Sequence, residues 1–255
     1  MVILQFHLFR QSYFLYYPGQ TQGAHYLGVV AAIHTNGTYR ISFDDGDARH
    51  ACPINEIMVP RTMSNTPKYI LLKNGIYDIG KHYVNVTFPT TLIGESNTEC
   101  IVLGGFLIQG KKQDIVTLKN MTIQDSYQNG VLGYDGTEIV VDNCIVDNCA
   151  GSGIGINNTK GTVINCQVRR SGGSGIAVNG GVMKIQGKET TVTENVIKKS
   201  RREFGLRTYS DTCQIVIDRD TMDGKGMEEL SFGNYRDQNC SGGSGIVCVE
   251  GKGKK

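Results

Sequence analysis

The chain reads as all-β: a small antiparallel unit followed by a long stack of short parallel strands. Three observations predict this. Apolar residues alternate with polar ones at period two along most of the chain, and no long segment keeps a helical period. A pattern of 22 to 23 residues recurs while most of its residues change. Gly is abundant at 33 of 255 residues and Pro scarce at 5, which suits tight corners and uninterrupted backbone ladders.

Residues 1–60 carry hairpin signals. YLGVVAAI (Tyr26 to Ile33) and the run that follows Asn36-Gly37 are two apolar stretches joined by a tight-turn dipeptide, and Asp45-Gly46 marks a second turn. Three to five short strands in so few residues predict a small barrel. The string GVV…GTYRISFDDGD resembles a Tudor-type, SH3-like barrel, and similar YYPG…GTY…DDGD modules occur in proteins of marine algae and protists. That resemblance implies a binder of methylated Lys or Arg when aromatic rings box in the cation. Tyr26 and Phe43 match the wall positions, with Tyr16 or Tyr17 as a third wall, while Arg49 stands where another aromatic would help. The plainer reading is that these rings fill the barrel core. Residues 61–67 (RTMSNTP) read as a linker.

Residues 68–255 are expected to form the stack. KYILLKNGIYDIG, VNVTF, TTLIGES and ECIVLGGFLIQG are strand-like runs that form the first two rungs. Four copies of the repeat then lie between Val116 and Thr208. Each has an alternating run that ends in Asn (Asn120, Asn143, Asn165, Asn195) and, ten residues later, a Gly followed by an aliphatic (Gly130, Gly153, Gly175, Gly205). Leu118, Val141, Val163 and Thr193 stand two before each Asn, and Met121, Cys144, Cys166 and Val196 one after. A unit of two or three short strands cannot bury its apolar face alone. Coils stacked at about 4.8 Å turn each such position into an apolar ladder. The long interval before Asn195, with Gly180-Gly181 and Lys188-Glu189, predicts a loop leaving the stack there. SGGSGI occurs at Ser171–Ile176 and again at Ser241–Ile246, which predicts one further ordinary coil after an irregular section from Asp218 to Gln238.

This repeat resembles the single-stranded right-handed parallel β-helix of the pectin-lyase-like superfamily, over roughly Pro67 to Gly251. The repeat period predicts about seven coils, and the resemblance implies an internal ladder of stacked Asn side chains, so the four Asn are expected in one column as residues of the fold. It also implies where chemistry would sit: on the outer face of one sheet, with clustered carboxylates and a basic residue for lyases, or paired Asp for esterases and hydrolases. Four and five residues after each Asn stand Gln124-Asp125, Asp147-Asn148, Arg169-Arg170 and Lys199-Ser200. Asp125, Asp147 and Arg169 are the catalytic candidates. The plainer reading is a surface ladder of paired charges. The Gln-Asp-Thr-Leu, Asp-Phe-Ile-Phe-Gly and Gly-Arg-Pro-Trp signatures of pectinesterases are missing, and all five His precede the regular coils.

Composition narrows the partners. A net charge of +2 argues against nucleic acid, and no stretch has the length of a membrane span. Eight Cys without CxxC spacing or paired His predict no zinc, and no cofactor is expected. MVILQFHLFR lacks a basic n-region, so no secretory signal is expected, and reduced thiols favour an intracellular or virion setting. Cys144 and Cys166 share a repeat position and are expected to pack as small apolar residues. The expected function is a non-catalytic, rigid repeating surface offered to a protein or glycan, within a larger homo- or hetero-assembly. Resemblance to β-helices of marine algae and their large DNA viruses implies a virion or capsid role. The rivals are a polyuronate lyase or epimerase, and a reader of methylated peptides through Tyr26 and Phe43.

Overall fold

The computed structural model describes the backbone of residues 13–15, 26–33, 39–43, 48–52 and 57–58. It then describes residues 68–195, 204–210, 212–223, 230–232, 238–240 and 245–249. The chain divides into two compact units, Met1–Thr66 and Pro67–Lys255.

In the first unit, runs with β-branched or aromatic residues form β1 (Tyr13–Leu15), β2 (Tyr26–Ile33), β3 (Tyr39–Phe43) and β5 (Ile57–Met58), and the run ARHAC forms β4 (Ala48–Cys52). They make one antiparallel sheet in the order β4-β3-β2-β1-β5. A register shift between Val30 and Ala32 puts a bulge in the β2–β3 pair. Asn36-Gly37 and Asp45-Gly46 lie outside the described residues, and so does the linker.

The second unit is a parallel β-solenoid with three faces. The first face stacks β6 (Lys68–Leu72), β8 (Thr90–Gly94), β10 (Ile115–Lys119), β13 (Glu138–Asp142), the later halves of β15 (Ile154–Ile164) and β17 (Ile176–Gln186), and β20 (Cys213–Asp218). The second face stacks the early halves of β7 (Gly75–Val86) and β9 (Cys100–Gln109), then β11 (Thr122–Gln124), β14 (Ile145–Asp147), β16 (Gln167–Arg169) and β18 (Thr191–Thr193). The third face stacks the later halves of β7 and β9 with β12 (Val131–Tyr134), the early halves of β15 and β17, and β19 (Leu206–Thr208). After Asp218 the chain continues through β21 (Ser231–Phe232), β22 (Gln238–Cys240) and β23 (Ile246–Val249).

About five turns result, fewer than the seven expected from the repeat period. The regular ones start at β8, β10, β13, β15 and β17. The shortfall arises at both ends. The opening strand β7 runs twelve residues without the repeat, and 27 residues lie between the end of β20 and the start of β23.

Side chains from the three faces meet in a dry interior. Leu118, Val141, Val163, Ile185 and Ile217 form one column, and Ile123, Val146, Val168 and Val192 another, all at 0% exposure. Burying each such side chain is worth roughly 1.5–3 kcal/mol, which makes these columns the main source of cohesion. Gly161 interrupts a column between Ile139 and Met183. A Cβ there would come within 2.7 Å of the Met183 sulfur, so the thioether occupies the vacated space.

The corners turn on left-handed residues. Between the first and second faces these are Asn120, Asn143 and Asn165, with φ of 57°, 51° and 49°, and Gly187 at 82°. Asn tolerates this conformation better than other non-glycine residues. Asn143 Nδ2 donates to Asn120 Oδ1 at 2.8 Å, and Asn120 Nδ2 donates to the Gly94 carbonyl at 2.8 Å. Asn195 is not in this column. Ile164 pairs with Gln186, so the next rung below Asn165 is Gly187. Thr193 pairs with Arg169 on the second face and is not in line with Leu118, Val141 and Val163. Asn195 therefore stands one corner later, level with Ser171. Its Oδ1 accepts from the Ser171 N–H at 3.0 Å and its Nδ2 donates to the Val168 carbonyl at 3.0 Å. The register leaves two extra residues after Gly187 and six more between Asn195 and Gly205, so most of the expected loop falls after Asn195.

Gly130, Gly153, Gly175 and Gly205 do share a column. Val131, Ile154 and Ile176 donate in turn to the carbonyls of Gly153, Gly175 and Gly205 at 2.8–2.9 Å. None of the four has positive φ. They are glycines because of space: a Cβ on Gly153 or Gly175 would lie 2.4 Å from Cγ1 of Val168 or Val192. The second SGGSGI copy does not repeat the role of the first. Ile176 lies on the third face, but Ile246 pairs with Ile215 on the first, so these two residues fall at different points of a turn, while β21, β22 and β23 pair with β18, β19 and β20.

Candidate functional site

The second face brings two of the three catalytic candidates together. β14 and β16 pair in register Asp147↔Arg169, so the carboxylate and the guanidinium sit on neighbouring rungs of one outward column. Arg169 Nε donates to Asp147 Oδ2 at 3.1 Å. Arg170, one residue further into the corner, donates from Nε to Asp147 Oδ1 at 2.7 Å and from Nη2 to Oδ2. The Asp147 side chain is 4% exposed, against 37% for Arg169 and 52% for Arg170. Burial alone would push its carboxyl up, but the hydrogen bonds and charges of Arg170 and Arg169 outweigh this and hold it below the ordinary Asp value. Arg170 is raised in turn, chiefly by its bond to Asp147.

Asp125 stands beside the Asp147–Arg169 column rather than in it, since Gln124 pairs with Asp147, and its charge adds to the raising of Arg170. It begins the corner column Asp125–Asn148–Arg170–Glu194, whose members all have φ between 50° and 56°. Its Oδ1 accepts from Asn148 Nδ2 at 2.6 Å and its Oδ2 from Gln124 Nε2 at 3.2 Å. A pocket of about 370 Å³ opens there, lined by Asp125, Tyr127, Asn148, Cys149 and Arg170 among others. The pair that stands level with Arg169-Arg170 on the next rung is Thr193-Glu194. Lys199-Ser200 lies outside the described residues.

Chemically, Asp147 is a carboxylate whose acceptor sites are taken by two guanidiniums. A general base needs a free lone pair within reach of a substrate proton and an affinity for that proton near working pH. Asp147 has neither. Among the described residues, no group of three or more His, Cys, Asp and Glu converges where a metal ion would sit, and no helix is long and apolar enough to cross a membrane.

Burial disfavours the thiolate at three of the buried cysteines. Burial pushes Cys149 and Cys166 up to about 12 and Cys100 to about 11. Cys144 and Cys166 lie in one interior column, where the Cys166 sulfur accepts from the Cys144 N–H at 3.4 Å. Both are free thiols.

Sequence reasoning passed over the third face. A groove of about 310 Å³ runs along it. Its floor includes Leu132, Gly155 and Ala177 in one column. Beside it the column Tyr134–Asn157–Asn179 continues to Tyr209, whose N–H donates to the Val178 carbonyl. Each of these four lies four residues after a Gly of the repeat, so the same spacing that picked out the glycines also marks them. Tyr209 is 42% exposed, and the Arg207 guanidinium lies 3.8 Å from its ring centroid. Tyr26 begins β2 and Phe43 ends β3; Phe43 pairs with Gly28, which puts Tyr26 two residues away along the neighbouring strand.

Three parallel faces, a sealed interior and stacked corners define a parallel β-solenoid. The family model for the right-handed β-helix region matches residues 104–252, more than half of the chain, and the chain belongs to that family. The comparisons with curated proteins and with solved structures return no match.

Proposed function

We propose that the chain is a non-catalytic binding module whose solenoid offers a rigid repeating surface to a protein or glycan within a larger assembly, of the virion or capsid kind. The observation that carries this reading is the state of Asp147. The best-placed outward carboxylate of the second face is locked between Arg169 and Arg170, as a structural ion-pair cluster would be. The rival is a polyuronate lyase or epimerase working from Asp125, Asp147 and Arg169. Eliminative cleavage leaves an unsaturated uronate that absorbs in the near ultraviolet. The binding-module reading expects no such signal from pectate or alginate with Ca²⁺. Cleavage by the parent chain that Asp147→Ala abolishes would establish the enzyme instead.

A second reading concerns the first unit, taken as a Tudor-like barrel that reads methylated Lys or Arg. The adjacency of Tyr26 and Phe43 on paired strands favours it. Titration of the full chain with trimethyl-lysine and unmodified peptides tests it. Preference for the methylated peptide, lost in Tyr26→Ala, supports the cage; equal binding removes it.

A further inference from the structure

We propose that Asn179–Gly180 is a site of covalent self-modification, where the chain converts Asn179 to aspartate and isoaspartate with Cys213 as the general base. Asn–Gly steps occur among the described residues at Asn74, Asn129 and Asn179. In each, the glycine nitrogen is the nucleophile and the side-chain amide carbon of the asparagine is its target. Glycine leaves that nitrogen uncrowded. The fold restrains two of the steps. Asn74 Nδ2 donates to Glu99 Oε2 at 2.8 Å, and the Gly75 N–H donates to the Glu99 carbonyl at 2.8 Å. Asn129 Oδ1 accepts from the Ser152 N–H at 2.8 Å, and the Gly130 N–H donates to the Ser152 carbonyl at 3.1 Å. Asn179 differs in both respects. Its side chain is exposed, and no described residue holds its amide. The Gly180 N–H donates to no backbone carbonyl; it donates to Cys213 Sγ at 2.9 Å.

Cys213 opens β20 and pairs with Gly181 on the rung before it. Its sulfur also lies 3.1 Å from Ser210 Oγ. Burial pushes its thiol up, but the Ser210 hydroxyl and the N–H groups of Gly180, Tyr209 and Ser210 outweigh this and hold it below the ordinary Cys value. Cys100, Cys149 and Cys166 shift the other way. As a thiolate, the sulfur is bonded to the proton that the attacking nitrogen has to lose. The Gly180 nitrogen attacks Cγ of Asn179 while the sulfur takes that proton, and the new C–N bond closes a succinimide ring. The thiol returns the proton to the departing amide nitrogen, which leaves as ammonia when its bond to Cγ breaks. Water then opens the ring at either carbonyl, giving aspartate or isoaspartate. Either product puts a carboxylate in the column between Asn157 and Tyr209, and isoaspartate lengthens the backbone of β17 where it pairs with β15.

The test holds the full chain at pH 8 with reductant for several days. Tryptic peptides are then read by mass spectrometry, with electron-transfer fragmentation to separate aspartate from isoaspartate. In the native chain Asn179 should convert at least about threefold faster than Asn74 and Asn129, whereas in guanidinium all three should convert alike. Cys213→Ser should slow the native conversion of Asn179 roughly threefold or more and leave its rate in guanidinium unchanged. A variant that merely loosened the corner would convert faster. Should Cys213→Ser lose its native circular dichroism, Ser210→Ala serves in its place. It removes a donor from the thiolate and should slow the step roughly twofold. Conversion of all three asparagines at one rate in the native chain, an Asn179 that outlasts the other two, or an unchanged rate in the folded variant would each overturn the proposal.

Discussion

Asn143 does three things at one position. It holds a left-handed backbone, donates to Asn120, and accepts from Asn97 Nδ2 at 3.1 Å. Asn143→Ala loses the amide bonds and puts a residue with a poorer left-handed fit at the corner. It should cost about 2–3 kcal/mol, read as a lower urea midpoint with an unchanged slope. Asp147 gives a pH signature. Its folded carboxyl titrates below the unfolded value, so the unfolded chain binds more protons in the window between them. The stability it contributes is present above the unfolded value, near pH 4, and disappears as pH falls through the folded one. Urea midpoints measured from pH 6 down to pH 3 should fall, and Asp147→Asn should flatten that part of the slope. A slope identical in the variant would mean that other carboxylates govern acid stability.

At the scale of the element, the glycine column depends on the valine column behind it. The space at Gly153 is taken by Val168, and an added Cβ would also lie 3.0 Å from Ser171 Oγ. Gly153→Ala should therefore destabilise by about 1–3 kcal/mol through overpacking. Adding Val168→Ala empties the contested volume, so the double variant should lose less than the sum of the two single losses. Additive losses in a double-mutant cycle would show that the glycine is needed for another reason. The repeat predicts that these glycines align, and their rungs do align in the β12–β15–β17–β19 stack. Why they are glycines is a matter of distance across the interior, which a linear pattern does not contain. Asn195 illustrates the reverse error. It satisfies the ten-residue rule to Gly205, yet eight residues inserted at two separate places keep that spacing while moving it to another corner.

For the whole molecule, the relevant question is whether the interior is dry and continuous. Cys144, Cys149 and Cys166 sit at 0–1% exposure in that interior, and burial disfavours their thiolates. Iodoacetamide at pH 8 should leave these three unlabelled in the native chain and label them after unfolding in guanidinium, as peptide mass spectrometry would read. Rapid native labelling of all three would mean that the coils part in solution. The candidate site is also a property of the whole. Arg169 and Arg170 follow Asp147 by 22 and 23 residues and meet it only because a coil returns to its own azimuth.

Period-two alternation and a recurring unit of 22 to 23 residues were enough to specify a parallel stack, its glycine rungs and three of its four Asn corners. These are local properties: they depend on which way a side chain points and how soon the chain turns. Tertiary structure alone decided the number of turns, the corner on which Asn195 falls, and the partners of Asp147. Each of these depends on where insertions leave the stack and on what lies one rung away, distances that the order of residues does not encode.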